Sequence, residues 1–276
     1  MNPPLNADGA RDHGGDLQTP PFVLVPGGWH GGWDFRPVTE RLRAVGRQVH
    51  ELTLSGVGAR SHIPAGIVNL ETHIDDVVGV FVQEDLQHAV LCGHSYGGMV
   101  IAGVADRVPE RIDRIVFIDA YVPDDGDSCF SLAGPTFQRL FLDGARGDGW
   151  AVAPPAGLDA RATSHPIATF LQAISLSGRQ NDVARHDYVY LSGWSGSPFA
   201  EVYERLRQDE RWHVHELATM HNVMREAPDD LVAILLDGTA SPRPAAADAG
   251  RHDAASASCA SARTSRRSRT CVRDRG

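Results

Sequence analysis

Ser95 lies in the pentapeptide Gly93-His94-Ser95-Tyr96-Gly97, a Gly-x-Ser-x-Gly pattern whose hydroxyl could attack a carbonyl carbon if a base removed its proton. The run before it, Ala89 to Cys92, is apolar and suits a buried strand. Met99, Val100, Ala102, Gly103 and Val104 after it suit a packed helix. A serine at such a strand-to-helix corner is held in a strained backbone, while the flanking glycines let strand and helix approach each other. The context favours a nucleophile elbow over a glycine-rich surface turn.

A serine nucleophile needs a base within hydrogen-bond reach and an acid to orient that base, and in elbow folds these follow in the order serine, acid, histidine. His221 falls between the last predicted strand, Trp212 to Leu217, and the last predicted helix, Pro228 to Leu236, and is the expected base. The usual loop for the acid, after the penultimate strand, reads Ser192-Gly193-Trp194-Ser195-Gly196-Ser197 and holds no carboxylate. Asp187 begins that strand and falls at the wrong end of the sheet. Asp119 ends the apolar strand Arg114 to Ile118, beside the elbow, and is the expected acid, with Asp124 and Asp125 as reserves. The oxyanion of a tetrahedral intermediate needs two amides, expected from Tyr96 and Gly28. Trp29, His94 and Trp194 are the expected substrate contacts. His213 and His215 share a strand face, but with no third ligand in view a metal site is not expected.

The elements around these residues alternate. After a leader, residues 1–20, expected to be disordered, Phe22 to Val25 reads as a first buried strand, ending in the loop Pro26-Gly27-Gly28-Trp29-His30-Gly31-Gly32-Trp33. A helix is predicted from Asp34, as its N-cap, to Val45, with Val38, Leu42 and Val45 on one face and Gly46 closing it. A strand over 48–52 and a helix over 69–82 precede the elbow. From 123 to 182 the alternation fails, and Phe130, Phe137, Phe141, Trp150, Phe170 and Ile174 occur without a strand pattern, as expected of a helical cap over a site. Alternation resumes over 183–238. The expected fold is therefore α/β, with a mostly parallel sheet and helices on both faces, assembled from residues 21–122 and 183–238.

Composition excludes several chemistries. The 276 residues hold 26 basic side chains, all arginine, so a P-loop lysine, a pyridoxal Schiff base and a Tyr-x-x-x-Lys pair are all missing. No cofactor is expected. From Thr239 onward there are eight arginines against three aspartates, which leaves −14 on the preceding residues against −9 for the whole chain. An acidic body argues against nucleic acid. That last stretch, 239–276, is poor in large apolar groups and is expected to be disordered. Four cysteines without C-x-x-C spacing give neither a disulfide framework nor a zinc site. With no signal-like or membrane-spanning run, a cytoplasmic protein without a membrane partner is expected, and a homodimer is left open.

Taken together, the segment Val23-Leu24-Val25-Pro26-Gly27-Gly28-Trp29-His30-Gly31-Gly32-Trp33 and the elbow resemble the α/β-hydrolase superfamily over residues 20 to 238. The chain is most similar to the short lineage of esterases, lactonases and hydroxynitrile lyases, whose first strand runs V-L-V-H-G-x-x-H-G-x-W. Pro26 stands where the lineage has its first histidine. The resemblance implies that Gly28 is an oxyanion donor and that Asp119, in Phe-Ile-Asp-Ala, matches members drawing their acid after this strand. The expected function is a serine hydrolase for medium-sized apolar esters or lactones. The alternatives are a hydroxynitrile lyase, a polyketide-tailoring thioesterase or cyclase, and a hydrolase-fold binding protein of low turnover. The plant lyases place a lysine after the catalytic histidine, and here that residue is Asn222.

Overall fold

Period-two alternation sorts the strand side chains onto two faces, and both faces are covered. In a computed structural model that describes residues 19–239, the strands are β1 Phe22–Val25, β2 Val49–Glu51, β3 Ala89–His94, β4 Ile112–Ile118, β5 Ala151–Val152, β6 His165–Pro166, β7 Arg185–Leu191 and β8 Trp212–Leu217. Six of them form one sheet in the order β2-β1-β3-β4-β7-β8, every pair parallel. Phe22, Leu24, Val90, Cys92, Val116 and Val189 point to one face. There they meet helices α1 Arg36–Ala44, α8 Val223–Glu226 and α9 Pro228–Leu236. Val23, Val25, Leu91, Ile115 and Phe117 point to the other, against α2 Leu70–Gln83 and α3 Gly97–Arg107. This is the expected α/β fold, and strands buried on both faces explain why they read as unbroken apolar runs.

Two local expectations change. Asp34 does not cap α1. Gly32–Phe35 is a 3-10 turn that carries Asp34 inward, and the α-helix starts at Arg36 with Pro37 in its first turn. Val38 and Leu42 face the sheet, but Val45, beyond the last turn, is half exposed. The segment 123–182 is only partly helical: it holds α4 Cys129–Leu132, α5 Pro135–Gly144 and α6 Ile167–Leu171, together with the antiparallel pair β5 and β6. The leader 1–18 and the residues after Thr239 lie outside the described residues. The remaining helix, α7 Ala200–Leu206, precedes β8. Among the described residues no helix is long and apolar enough to cross a membrane.

Helix α2 starts at a capping box: Asn69 Oδ1 accepts from Thr72 N–H at 3.0 Å, and Thr72 Oγ1 accepts from Asn69 N–H at 3.2 Å. Asn69→Ala is expected to lower the unfolding free energy by about 1 kcal/mol, read from the urea midpoint at unchanged slope.

The amino edge of the sheet holds an ion cluster. Arg114 on β4 is buried and forks onto Asp187 of β7, with Nε to Oδ2 at 2.8 Å and Nη2 to Oδ1 at 2.6 Å. Arg185 grips the same carboxylate at 2.8 and 3.0 Å, and His215 Nε2 reaches Oδ1 at 2.9 Å. Arg114 also donates to the carbonyls of Ile234, Leu235 and Asp237, closing the end of α9. Burial alone would raise the Asp187 carboxyl. The bonds from His215, Arg114 and Arg185 outweigh it and hold the group well below the usual carboxylate range.

Candidate active site

The elbow lies at the carboxyl edge of the sheet. Between β3 and α3, Ser95 takes a left-handed backbone with φ 54°. Its N–H donates to Ile118 C=O at 3.1 Å, and its C=O accepts from Gly98 N–H at 3.1 Å and Tyr121 N–H at 3.2 Å. The corner is thereby tied to the end of β4. A Cβ at Gly93 would lie 2.7 Å from the Gly97 carbonyl oxygen, and one at Gly97 would lie 2.7 Å from that of Val25. No side chain fits either gap, so both motif glycines answer to close backbone approach.

Asp119 follows β4 directly and is fully buried, with φ 41°. Its Oδ2 lies 2.6 Å from His221 Nδ1, and its Oδ1 accepts from Leu191 N–H at 3.4 Å. The reserves point elsewhere. Asp125 accepts from Leu176 N–H at 2.8 Å, while Asp124 is exposed and pairs loosely with Arg205 at 3.5 Å. Because Asp119 occupies Nδ1, the imidazole presents Nε2 to the cavity whose wall it shares with Ser95. Burial opposes charge on both partners: it raises the Asp119 carboxyl and lowers the His221 imidazole, to about 3. The imidazole is therefore neutral at physiological pH. The hydrogen bonds from its Nδ1–H and from Leu191 N–H favour the ionised carboxylate against that burial.

His94 and Asn222 hold the loop that carries His221. The buried His94 donates from Nε2 to the His221 carbonyl at 2.9 Å, and Asn222 Nδ2 reaches Asp34 Oδ1 at 3.3 Å. His94, an expected substrate contact, forms part of the cavity wall; its Nε2 is spent on this loop, and its Nδ1 is buried with no hydrogen-bond partner among the described residues. Asp34 also meets Arg225 Nε at 3.3 Å, which is why the 3-10 turn carries it inward.

Gly28 and Tyr96, the expected amide pair, both line the cavity, and among the described residues neither N–H has a hydrogen-bond partner. The loop between them and solvent is fixed by His30, whose Nδ1 lies 2.7 Å from Gly28 O and, as the donor to that carbonyl, carries a proton. With Pro26 in the histidine position, Gly27 still packs tightly: a Cβ there would meet His94 Nδ1 and Ser95 Cβ at 3.0 Å. Five non-glycine residues among those described have left-handed backbone, and Trp29, Ser95 and Asp119 are three of them. Such conformations persist only where surroundings enforce them, and they gather here at one site.

The cavity has a volume of about 260 Å³. Phe137, Phe141, Leu158 and Phe170 of the insertion form one wall, and Trp194 and Phe199 form another. Trp194 lies 4.5 Å from the His221 ring centre to centre, and Phe199 stacks on it at 5.6 Å. His30, His94, Ser95 and His221 bring polar groups to this otherwise largely apolar wall. Sequence reasoning missed His30 and His165. The glycine-rich stretch around His30 was a usable signal, whereas His165 sits in a segment without periodicity.

Comparisons with known proteins agree with this architecture. A model of the alpha/beta hydrolase family matches residues 22–234. The chain is 36% identical over 231 residues to a carbendazim hydrolyzing esterase of Nocardioides sp. (strain SG-4G), which covers 76% of this chain and 96% of that one. It is 32% identical over 133 residues to methylesterase 2 of Arabidopsis thaliana, 47% of this chain and 48% of the other. Among solved structures, one is an extracellular alpha/beta-hydrolase of a Paenibacillus species, described as sharing structural and functional homology with tobacco salicylic acid binding protein 2. It matches with a TM-score of 0.69 at 24% identity, over 79% of this chain and 98% of that one.

Proposed function

The chain belongs to the alpha/beta hydrolase family and is a carboxylic ester hydrolase, and from that premise we propose that it works through Ser95, His221 and Asp119 on small, flat, largely apolar esters or lactones. The observation that carries the triad is the 2.6 Å contact of Asp119 with His221 Nδ1, with Nε2 turned toward the cavity shared with Ser95. Among the described residues Ser95 Oγ and His221 Nε2 have no hydrogen bond, a looseness common before substrate closes the site.

In this reading His221 Nε2 takes the Ser95 proton as Oγ bonds to the ester carbon. The carbonyl oxygen gains the electron pair and is held by the Gly28 and Tyr96 N–H groups. Collapse of that intermediate breaks the ester C–O bond, and the alcohol leaves with the proton from His221. Water, deprotonated by the same imidazole, then releases the acid and restores Ser95.

An aromatic wall around a small cavity supports flat apolar substrates, and the names of the relatives, a carbendazim hydrolyzing esterase and a methylesterase, support ester cleavage. Asn222, in the position of the lyase lysine, spends its amide on Asp34 and brings no cation to the site. The test is a fluorophosphonate probe, with modified peptides identified by mass, alongside turnover of p-nitrophenyl butyrate and of methyl esters of aromatic acids. Label on Ser95 that rises in step with loss of turnover is the expected result. Full labelling at Ser95 with undiminished turnover would overturn the reading.

A further inference from the structure

We infer that the insertion sets the geometry of the oxyanion site through Trp29, with His165 as the positioning residue that carries this coupling. The inference rests on Gly28 serving as an oxyanion donor. Trp29 has φ 65°, a conformation that a bulky side chain keeps only when held from outside. All three of its polar groups are bonded to the insertion. Its N–H donates to His165 Nδ1 at 3.1 Å, its C=O accepts from Thr163 N–H at 3.1 Å, and its indole N–H donates to Val152 C=O at 2.9 Å.

The Gly28–Trp29 peptide plane is therefore fixed at both ends. His30 holds its carbonyl from within the loop, and His165 holds its N–H from the insertion. Gly28 is packed from the same direction, since a Cβ there would lie 3.3 Å from Phe170 Cζ. The Gly28 N–H lies in the preceding peptide plane, joined to this one at the Gly28 Cα, so displacing the held plane would shift that N–H from the place where an oxyanion forms, and it would break the bond to His165.

His165 itself looks chosen for that one acceptor. The ring is wholly buried, stacked on Phe170 at 4.4 Å and 13° and edge-on to Tyr96 at 4.9 Å. Because Nδ1 accepts, a neutral ring carries its proton on Nε2, and that atom is buried with no hydrogen-bond partner. An unpaired buried N–H is costly, so a plain aromatic ring would pack here at less expense. What histidine adds is the bond to Trp29.

His165→Phe keeps the stack and deletes the acceptor, whereas His165→Asn offers an amide oxygen close to where Nδ1 stands. Each is compared with the parent in p-nitrophenyl butyrate turnover and in the affinity of a trifluoromethyl ketone that adds reversibly to a serine. His165→Phe is expected to lower kcat by about 10- to 100-fold with KM within about threefold, since small misplacement of a catalytic group costs on this scale. The ketone should lose affinity by the same factor, and His165→Asn should recover most of both. Trp29→Phe, which breaks the indole bond to Val152 while leaving the backbone bonds to Thr163 and His165, and which also trims the cavity wall, serves as a second arm if His165→Phe does not fold, and should move kcat and ketone affinity the same way by less. Parent-like kcat and ketone affinity in the folded variants would overturn the inference, as would an Asn variant no better than Phe. A parent whose turnover does not depend on Ser95 would instead remove the catalytic reading beneath it.

Discussion

Ser95→Ala is expected to lower kcat/KM for p-nitrophenyl butyrate by about 10⁴- to 10⁶-fold, while near-ultraviolet circular dichroism and the urea midpoint stay at parental values. In the proposed mechanism Oγ is the only group that forms a bond to the substrate, so nothing nearby replaces it. Asp119→Asn should cost about 10⁴-fold, because an amide can donate to Nδ1 and leave the proton on Nε2, where the base must be bare. The Ser95→Ala, His221→Ala pair should be no worse than either single change, since the two act as one unit. Ser95→Gly adds a test that separates stability from chemistry. With φ 54° relieved at a residue lacking Cβ, it should gain roughly 1 kcal/mol or more of unfolding free energy while losing turnover just as fully. An alanine variant that retains parental turnover would end the account of Ser95 as nucleophile.

The largest loss of stability is expected from Asp187→Asn. It removes the charge that three side chains grip and leaves Arg114, only 4% exposed, without its buried counter-ion. Breaking one side of such a pair costs about 3–5 kcal/mol. The pH dependence follows from the same group. Its folded-state pKa is depressed below the unfolded value of about 3.9, so its contribution is complete above that pH and is lost as pH falls toward the folded value. The parent should therefore lose stability below about pH 4, and the Asn variant, weaker throughout, should show a shallower slope there. Replacing Arg114 and Asp187 together with apolar residues should cost less than Asp187→Asn alone, because no unpaired ion remains. Urea titrations at pH 7 and pH 3.5 measure both, and an Asn variant with parental midpoints would refute the assignment.

What could be read from the chain follows how local each signal is. The elbow, the helix starting at Asn69 and the six strands are written in residues close together in sequence, where spacing alone carries the information. The contact between Asp119 and His221 was within reach because strand ends on the carboxyl edge must meet the elbow, and the Ser192–Ser197 loop offers no carboxylate. The fate of Asp34 was not, since its inward turn depends on Asn222 and Arg225, distant in sequence. Nor was the Arg114–Asp187 pair, because an arginine opening an apolar run looks like a strand end in solvent. The bonds from Trp29 to Val152, Thr163 and His165 cross more than a hundred residues and land in a segment with no period to read.

Because all six strands run the same way, the molecule has two unlike rims. The ion cluster occupies the starting rim and Ser95, Asp119 and His221 the finishing rim, with Arg114 and Asp119 about 17 Å apart along β4 at 3.3 Å per residue. Changes at that separation with no shared partner combine by simple addition. Hardening the lower rim against heat or acid can thus proceed independently of reshaping the upper rim for a new ester, which makes the scaffold modular for an engineer and for natural selection alike.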